Sequence, residues 1–390
     1  MATSLERGAR GAAAPEPSVR KIAVLRANGI GDFMFALPAL EALRAAYPAA
    51  EIVLLAADWH REFLEGRPGP VDRVVAVPPS TGVREEPGRL EDGRAMETFF
   101  REIQAERFDL AVQMHGGGRH SNPFVRRLGA RLTIGLRTPD AVPLDRVVPY
   151  VYFQSEVLRY LEVVSLVGAA PAGLEPRLHL APGDVEESRE VVPANGTRPI
   201  VVIHPAASDP RRRWPAPKFG QVAAALARQG ARVFAVGVAP DAHLASDVAA
   251  SSGGAAEDIC GRLSLRGLTG LLSRSALVVS NDSGPLHLGA AVGAATVGIY
   301  WCGNLITAGP LTRARHRPFI SWQLHCPECG VDTIRQPCPH RPSFVADVAV
   351  DDVVAGARDV LAQERDTVGE GRDERDAPEE AGSAADAAAS

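Results

Sequence analysis

Two hydrophobic periods alternate along the chain. Residues 22–25 form a short apolar run edged by Lys21 and Arg26, which predicts a buried strand. Asn28-Gly29-Ile30-Gly31-Asp32 follows as a tight glycine loop, and Phe33, Leu37, Leu40, Leu43 and Tyr47 then recur at helical spacing. Pro38 falls early in that helix, where a proline does less damage. Residues 52–56 predict the next strand. Strand, glycine loop, helix, strand is the opening of a doubly wound sheet, with further strands at 74–77, 110–113 and 132–134 and a helix at 153–167.

Residues 168–198 are rich in proline and glycine and hold no long periodic element, which predicts a boundary between two units. The pattern then restarts: strands at 200–203, 232–236, 277–280 and 296–300 and one ending at Ile259, with helices at 218–228, 265–273 and 284–292. The expected organisation is a first Rossmann-like domain over 21–180, a linker over 181–198, a second over 199–345 and an amphipathic helix over 346–363. Disordered tails are expected at 1–20 and 364–390. Two such α/β domains leave a cleft between the carboxyl ends of their sheets, where open α/β sheets bind ligands.

The formal net charge of −5 is uneven. Residues 361–390 carry nine acidic residues and three arginines, a local −6, so the body is near neutral at +1. A near-neutral body argues against general nucleic-acid binding, which needs a basic excess. No apolar segment follows the N-terminus, so no signal peptide is expected, and 286–301, the best membrane-span candidate, is diluted by glycine and alanine. Five cysteines, an odd number in a long chain, point to a reduced, cytoplasmic protein.

Four constellations carry chemistry. In the Arg26–Asp32 loop, glycines let backbone approach a ligand, and Asp32 reads either as a general base or as a helix N-cap. In Asn281-Asp282-Ser283-Gly284-Pro285-Leu286-His287, the N–H groups of Ser283 and Gly284 would sit at the positive end of a helix, a place for a diphosphate as well as for ordinary capping. The loop His204-Pro205-Ala206-Ala207-Ser208-Asp209-Pro210-Arg211-Arg212-Arg213-Trp214-Pro215 offers guanidinium groups to phosphate, or is a solvated basic turn anchored by Trp214. Cys326, Cys329, Cys338 and His340 offer four zinc-type ligands, in a spacing that fits no standard zinc finger. No D-x-D pair is present, so a diphosphate site here would rely on cations, a helix dipole and backbone donors.

With these residues collected, the sequence resembles glycosyltransferase family 9, the ADP-heptose:lipopolysaccharide heptosyltransferases. The opening Arg26-x4-Gly31-Asp32 followed by Leu37-Pro38-Ala39-Leu40, the arginine loop, and Asp282-Ser283-Gly284-x2-His287 match three of its motifs in order over residues 21–360. The resemblance implies a GT-B fold, two Rossmann-like domains facing across a cleft, and inverting, metal-independent transfer without a cofactor. It implies Asp32 as catalytic base, Arg212 at the donor diphosphate and Asp282, Ser283, Gly284 and His287 as its C-terminal nucleotide-sugar block; the loops themselves add Arg213, with Ser283 and Gly284, at the diphosphate and Gly31 at the nucleotide sugar. Arg26, Asn28 and His204 fall at the acceptor side or elsewhere in the cleft. Two positions depart from the family pattern: Arg212 stands for a lysine, and Ala206 for a glycine.

The implied partners are a nucleotide sugar, ADP-heptose, and a glycan or glycolipid acceptor, with no nucleic acid and at most peripheral membrane contact. Three other readings use the same residues: a GT-B transferase with another nucleotide sugar and a cell-wall or specialised-metabolite acceptor, a sugar-nucleotide epimerase, and a non-catalytic nucleotide-sugar-binding protein.

Overall fold

The computed structural model describes residues 14–86, 91–336 and 338–373; of the tails expected at 1–20 and 364–390, residues 1–13 and 374–390 lie outside them. The first half runs β1 (Lys21–Leu25), α1 (Ile30–Ala46), β2 (Glu51–Ala56), α2 (Asp58–Leu64), β3 (Arg73–Ala76) and α3 (Gly93–Ala105). It continues β4 (Leu110–Gln113), α4 (Ser121–Arg127), β5 (Leu132–Arg137), β6 (Arg146–Pro149), α5 (Glu156–Ser165) and α6 (Asp184–Val191). The second half runs β7 (Ile200–His204), α7 (Ala216–Ala227), β8 (Arg232–Ala235), α8 (Ala242–Ser251), β9 (Ala256–Asp258) and α9 (Leu265–Ser273). It ends β10 (Leu277–Asn281), α10 (Gly284–Ala291), β11 (Ala295–Trp301), α11 (Cys302–Ala308), β12 (His316–Ser321) and α12 (Val350–Asp373).

The two sheets are ordered β3-β2-β1-β4-β5-β6 and β12-β11-β10-β7-β8-β9. Each is parallel throughout, and each places its first and fourth strands side by side. This is one doubly wound order used twice. Strand order reverses between β1 and β4, and again between β7 and β10, and those two switch points are where ligands are expected. The central strands are apolar runs because helices cover both faces: β4, β7 and β10 are buried along their whole length.

The halves are joined by more than a linker. One apolar core runs from Val24 and Leu40 through Leu271 and Leu288 to Val202 and Val278. The 181–198 stretch contains α6, which packs closely on α9: a Cβ at Gly270 would lie 1.9 Å from the Asp184 carbonyl oxygen. Asp184 is fully buried and accepts from Arg67 Nη1 at 2.8 Å and Arg266 Nε at 3.1 Å, tying the segment after α2 to α9.

Several boundaries differ from the sequence reading. Helix α1 opens at Ile30 because Gly29 is its N-cap, so Pro38 sits past the second turn rather than near the first. The helix expected at 153–167 begins at Glu156, and β6 and β12, both short and half-exposed, were not anticipated. Helix α12 runs to Asp373, beyond Glu364 where the tail was expected to begin. Residues 286–301 divide into α10, a turn and β11, and no helix among the described residues is long and apolar enough to cross a membrane.

Candidate functional site

The turns after β1, β7 and β10 converge on one cleft of about 1180 Å³, open to solvent. Its lining includes Gly31 and Asp32 from the start of α1, Arg212 and Arg213 from the arginine loop, and Ser283, Gly284 and His287 from α10. The N-termini of α1 and α10 abut there. A Cβ on Gly31 would lie 3.0 Å from His287 Cδ2, and one on Gly284 only 2.2 Å from Ile30 Cγ2. Glycine at both positions therefore lets two positive helix ends share one space.

Asp32 lies in the first turn of α1 but does not cap it, since Gly29 holds the cap position. Its Oδ1 accepts instead from Arg26 Nη2 at 2.8 Å, and its side chain is 42% exposed. Arg26 is buried behind it, also donating to the carbonyl oxygens of Asp32 at 3.1 Å and Met114 at 2.8 Å, over the Tyr160 ring. Burial opposes the Arg26 charge, but the Tyr160 hydroxyl, Asp32 and Glu156 outweigh it and raise the pKa. Arg26 does not itself line the cleft and meets it through the carboxylates that do, Asp32 and Glu156. Asn28 is exposed in the turn before α1 and is not among the residues lining the cleft.

A second carboxylate, Glu156, lines the same wall. Its Oε1 pairs with Arg159 and its Oε2 accepts the Tyr160 hydroxyl, with Arg26 Nη2 3.8 Å away. In the sequence Glu156 was only an acidic residue in a helix, a common dipole partner. Asn304 and Thr307 also line the cleft, from α11, a helix whose seven residues carry too weak a period to read.

On the opposite wall the arginine loop is fixed by β10. The Trp214 N–H donates to Asn281 Oδ1 at 2.9 Å, Asn281 Nδ2 donates to the Pro205 carbonyl at 2.7 Å, and the Trp214 ring is buried. Arg211 turns back onto Asp209, with Nη2 to Oδ2 at 2.6 Å. Arg212 reaches the cleft and donates to Asp282 Oδ2 at 3.0 Å and Ser208 Oγ at 2.9 Å, and Arg213 donates to the Ala207 carbonyl at 2.8 Å. Asp282 is buried and also takes His287 Nε2 at 2.9 Å. Burial would raise its pKa, but His287 and Arg212 outweigh burial and lower it.

Ser283 holds the N-cap of α10 without a side-chain cap bond; its Oγ lies 3.1 Å from His204 Nδ1 and 3.0 Å from Ser280 Oγ. Leu286 and His287 both donate to the Ser283 carbonyl, so the Gly284 N–H stands ahead of the helix's own bonds. Burial pulls His204 down to about 4, which keeps the imidazole neutral near pH 7. His115, at the end of β4, is likewise held at about 3 by burial and accepts the Ala27 N–H at 3.4 Å.

Comparison with known proteins gives the chain a family. A family model described as glycosyltransferase family 9 (heptosyltransferase) matches residues 96–333. The chain belongs to glycosyltransferase family 9. The match takes in the arginine loop and the Asp282–His287 block and begins after Asp32. Lipopolysaccharide heptosyltransferase 2 of Salmonella typhimurium is 25% identical over 299 residues, 72% of this chain and 82% of that protein. Lipooligosaccharide heptosyltransferase 2 of Haemophilus influenzae is 23% identical over 301 residues, with the same coverage of 72% and 82%.

Among solved structures, a family 9 glycosyltransferase from Veillonella parvula superposes with a TM-score of 0.72 at 20% identity, covering 90% of this chain and 99% of that one. The ADP-heptose lipopolysaccharide heptosyltransferase II of E. coli gives 0.69 at 19% identity, covering 89% and 99%. The fold is GT-B, and this family 9 chain is a glycosyltransferase.

Proposed function

We propose that this family 9 glycosyltransferase moves heptose from ADP-heptose to a hydroxyl of a glycan or glycolipid acceptor of the lipopolysaccharide core, inverting the anomeric carbon. The observation that carries the reading is the composition of the cleft. A half-exposed carboxylate, Asp32, lines it together with Arg212, Arg213 and the meeting N-termini of α1 and α10. Relatives named as heptosyltransferases of lipopolysaccharide and lipooligosaccharide support the sugar and the acceptor class.

In this mechanism the acceptor hydroxyl attacks the anomeric carbon while Asp32 takes its proton. The bond from that carbon to the diphosphate oxygen breaks on the opposite face, and the electron pair leaves with ADP. Arg212, Arg213 and the Gly284 N–H meet the growing negative charge. Of the four carboxylates that line the cleft, Asp241 and Asp282 belong to the half that carries the arginine loop, and of the two on the wall of α1 and α5, Asp32 fits the base better. Both oxygens of Glu156 are engaged, by Arg159 and Tyr160, whereas the bond from Arg26 falls on Oδ1 of Asp32. Arg26 and Glu156 are positioning residues for Asp32. Catalysis then takes place on the cytoplasmic side of the membrane that carries the acceptor, with peripheral contact only.

The test is a pair of measurements on Asp32→Asn. Loss of a general base costs about 10²–10⁴-fold in turnover, while ADP-heptose affinity by calorimetry should be unchanged. Near-wild-type turnover would remove Asp32 from the chemistry. Titration of the wild-type chain with ADP-, GDP- and UDP-sugars in the presence of chelator tests the donor; preference for a sugar nucleotide other than ADP-heptose would discard heptose and leave the rest of the mechanism standing.

A further inference from the structure

Between β12 and α12 the chain runs from Trp322 to Ala349 without a strand or helix among its described residues. A segment of that length needs something to hold it. Its far end is held by the buried Phe344, Val345 and Val348, but the stretch before them has little apolar anchorage: Trp322, Leu324 and Ile334 are exposed. Four soft donors are gathered there instead. The ligand atoms of Cys326, Cys329, Cys338 and His340 all lie within 4.8 Å of one another. We propose that these four residues bind one tetrahedral zinc ion that staples this segment together.

The geometry is that of a built site. Cys326-Pro327-Glu328-Cys329-Gly330 closes a turn in which the Gly330 N–H donates to the Cys326 carbonyl at 2.8 Å and the Cys326 N–H to that of Val331 at 2.9 Å. Gly330 has φ +72°, a conformation that a side chain would strain. The second arm brings Cys338 Sγ to 3.4 Å from Cys329 Sγ and 3.2 Å from His340 Nδ1.

With Zn–S about 2.3 Å and Zn–N about 2.0 Å, the edges of a zinc tetrahedron are about 3.8 Å between sulfurs and about 3.5 Å from sulfur to nitrogen. The Cys329–Cys338 and Cys338–His340 separations, 3.4 and 3.2 Å, are a few tenths of an ångström shorter than those edges, and all the ligand atoms lie within 4.8 Å of one another. His340 presents Nδ1 to the sulfurs, while its Nε2 lies 3.6 Å from Glu328 Oε2, the carboxylate that orients a ligating imidazole. Three thiolates and an imidazole form a closed structural set and select a soft metal over magnesium or calcium.

The staple adjoins the arginine loop. Phe344 N–H donates to the Arg211 carbonyl at 2.7 Å and Ser343 Oγ to that of Arg213 at 2.6 Å. Residues 333–336, between the two ligand arms, line a second cavity together with Arg211 and Arg212. The ion therefore holds one wall beside the loop that carries Arg212, apart from the chemistry itself.

The experiment is metal analysis of the full chain, purified under reducing conditions without chelator, together with X-ray absorption at the bound metal. One zinc per chain with three sulfurs and one nitrogen is expected, and Cys329→Ser with Cys338→Ser should lose it. On the wild-type chain, strong chelation should expose three further reactive thiols, a readout that needs no variant to fold. A reduced chain that binds no zinc at one equivalent would overturn the proposal, as would variants that keep the metal or a Cys329–Cys338 disulfide formed in its place. Iron on the same four ligands would overturn the assignment to zinc.

Discussion

Gly284→Ala is the substitution whose effect can be worked most directly from this structure. The added Cβ would sit 2.2 Å from Ile30 Cγ2, whereas carbon atoms in contact prefer about 3.5–4.0 Å, so either the Ile30 side chain leaves its rotamer or α1 and α10 part by more than an ångström. Overpacking of this kind costs about 1–3 kcal/mol. Alanine is the better helix former by up to about 1 kcal/mol, so any net loss comes from the contact and not from the helix. The displaced groups line the cleft proposed to hold the donor, where a shift of about 1 Å can cost about 10²-fold in rate.

Ile30→Ala supplies the control, because Ile30 Cβ would be 3.7 Å from the new methyl, an ordinary contact. Urea unfolding and donor calorimetry on the two single variants and the double should give a coupling of about 1–3 kcal/mol, with the double variant better than the sum of the singles. Strict additivity, or a Gly284→Ala protein with wild-type affinity and stability, would refute the close-approach argument.

Arg212→Ala removes the guanidinium expected at the diphosphate and should weaken ADP-sugar binding by about 10- to 150-fold, the worth of a charged hydrogen bond at about 1.5–3 kcal/mol; unchanged affinity by calorimetry would take Arg212 out of the phosphate site. Asp184→Ala leaves Arg67 buried without its anion and should cost about 3–5 kcal/mol in urea unfolding; a loss under 1 kcal/mol would mean the pair is dispensable. Burial holds His60 and His115 near 3 and His204 near 4, so the unfolded chain takes up these protons first as pH falls. Stability present above about pH 6.5 should therefore be lost toward pH 5, at about 1.4 kcal/mol per unit for each ring and about 4 for the three. His60→Phe should remove one third of that slope, and a flat profile would show that the rings protonate freely in the folded state.

The doubly wound plan was legible because a parallel strand buried on both faces must be a continuous apolar run, as 22–25, 110–112, 200–203 and 277–279 are. The residues that line the cleft were legible where they lie within one short turn: Asp32 after β1, Arg212 after β7, Asp282 and Gly284 after β10. Helix starts and the weak elements were not. Whether Asp32 caps α1 or serves the cleft turned on where the helix begins, and a Gly29 cap was only one of several starts the local sequence allows.

Contacts between distant segments left no trace in any local period. Glu156 joins Arg26 and Tyr160 in one network only because α5 packs on α1. Gly31 and Gly284 are demanded by each other's helices, some 250 positions apart. Cys326, Cys329, Cys338 and His340 match no standard spacing, yet they converge because the turn at Gly330 folds the two arms together. Local periodicity records which face of an element meets the core, and that settles the fold; which side chains then share a cleft depends on how the elements are placed in space, and that is a property of the packed chain alone.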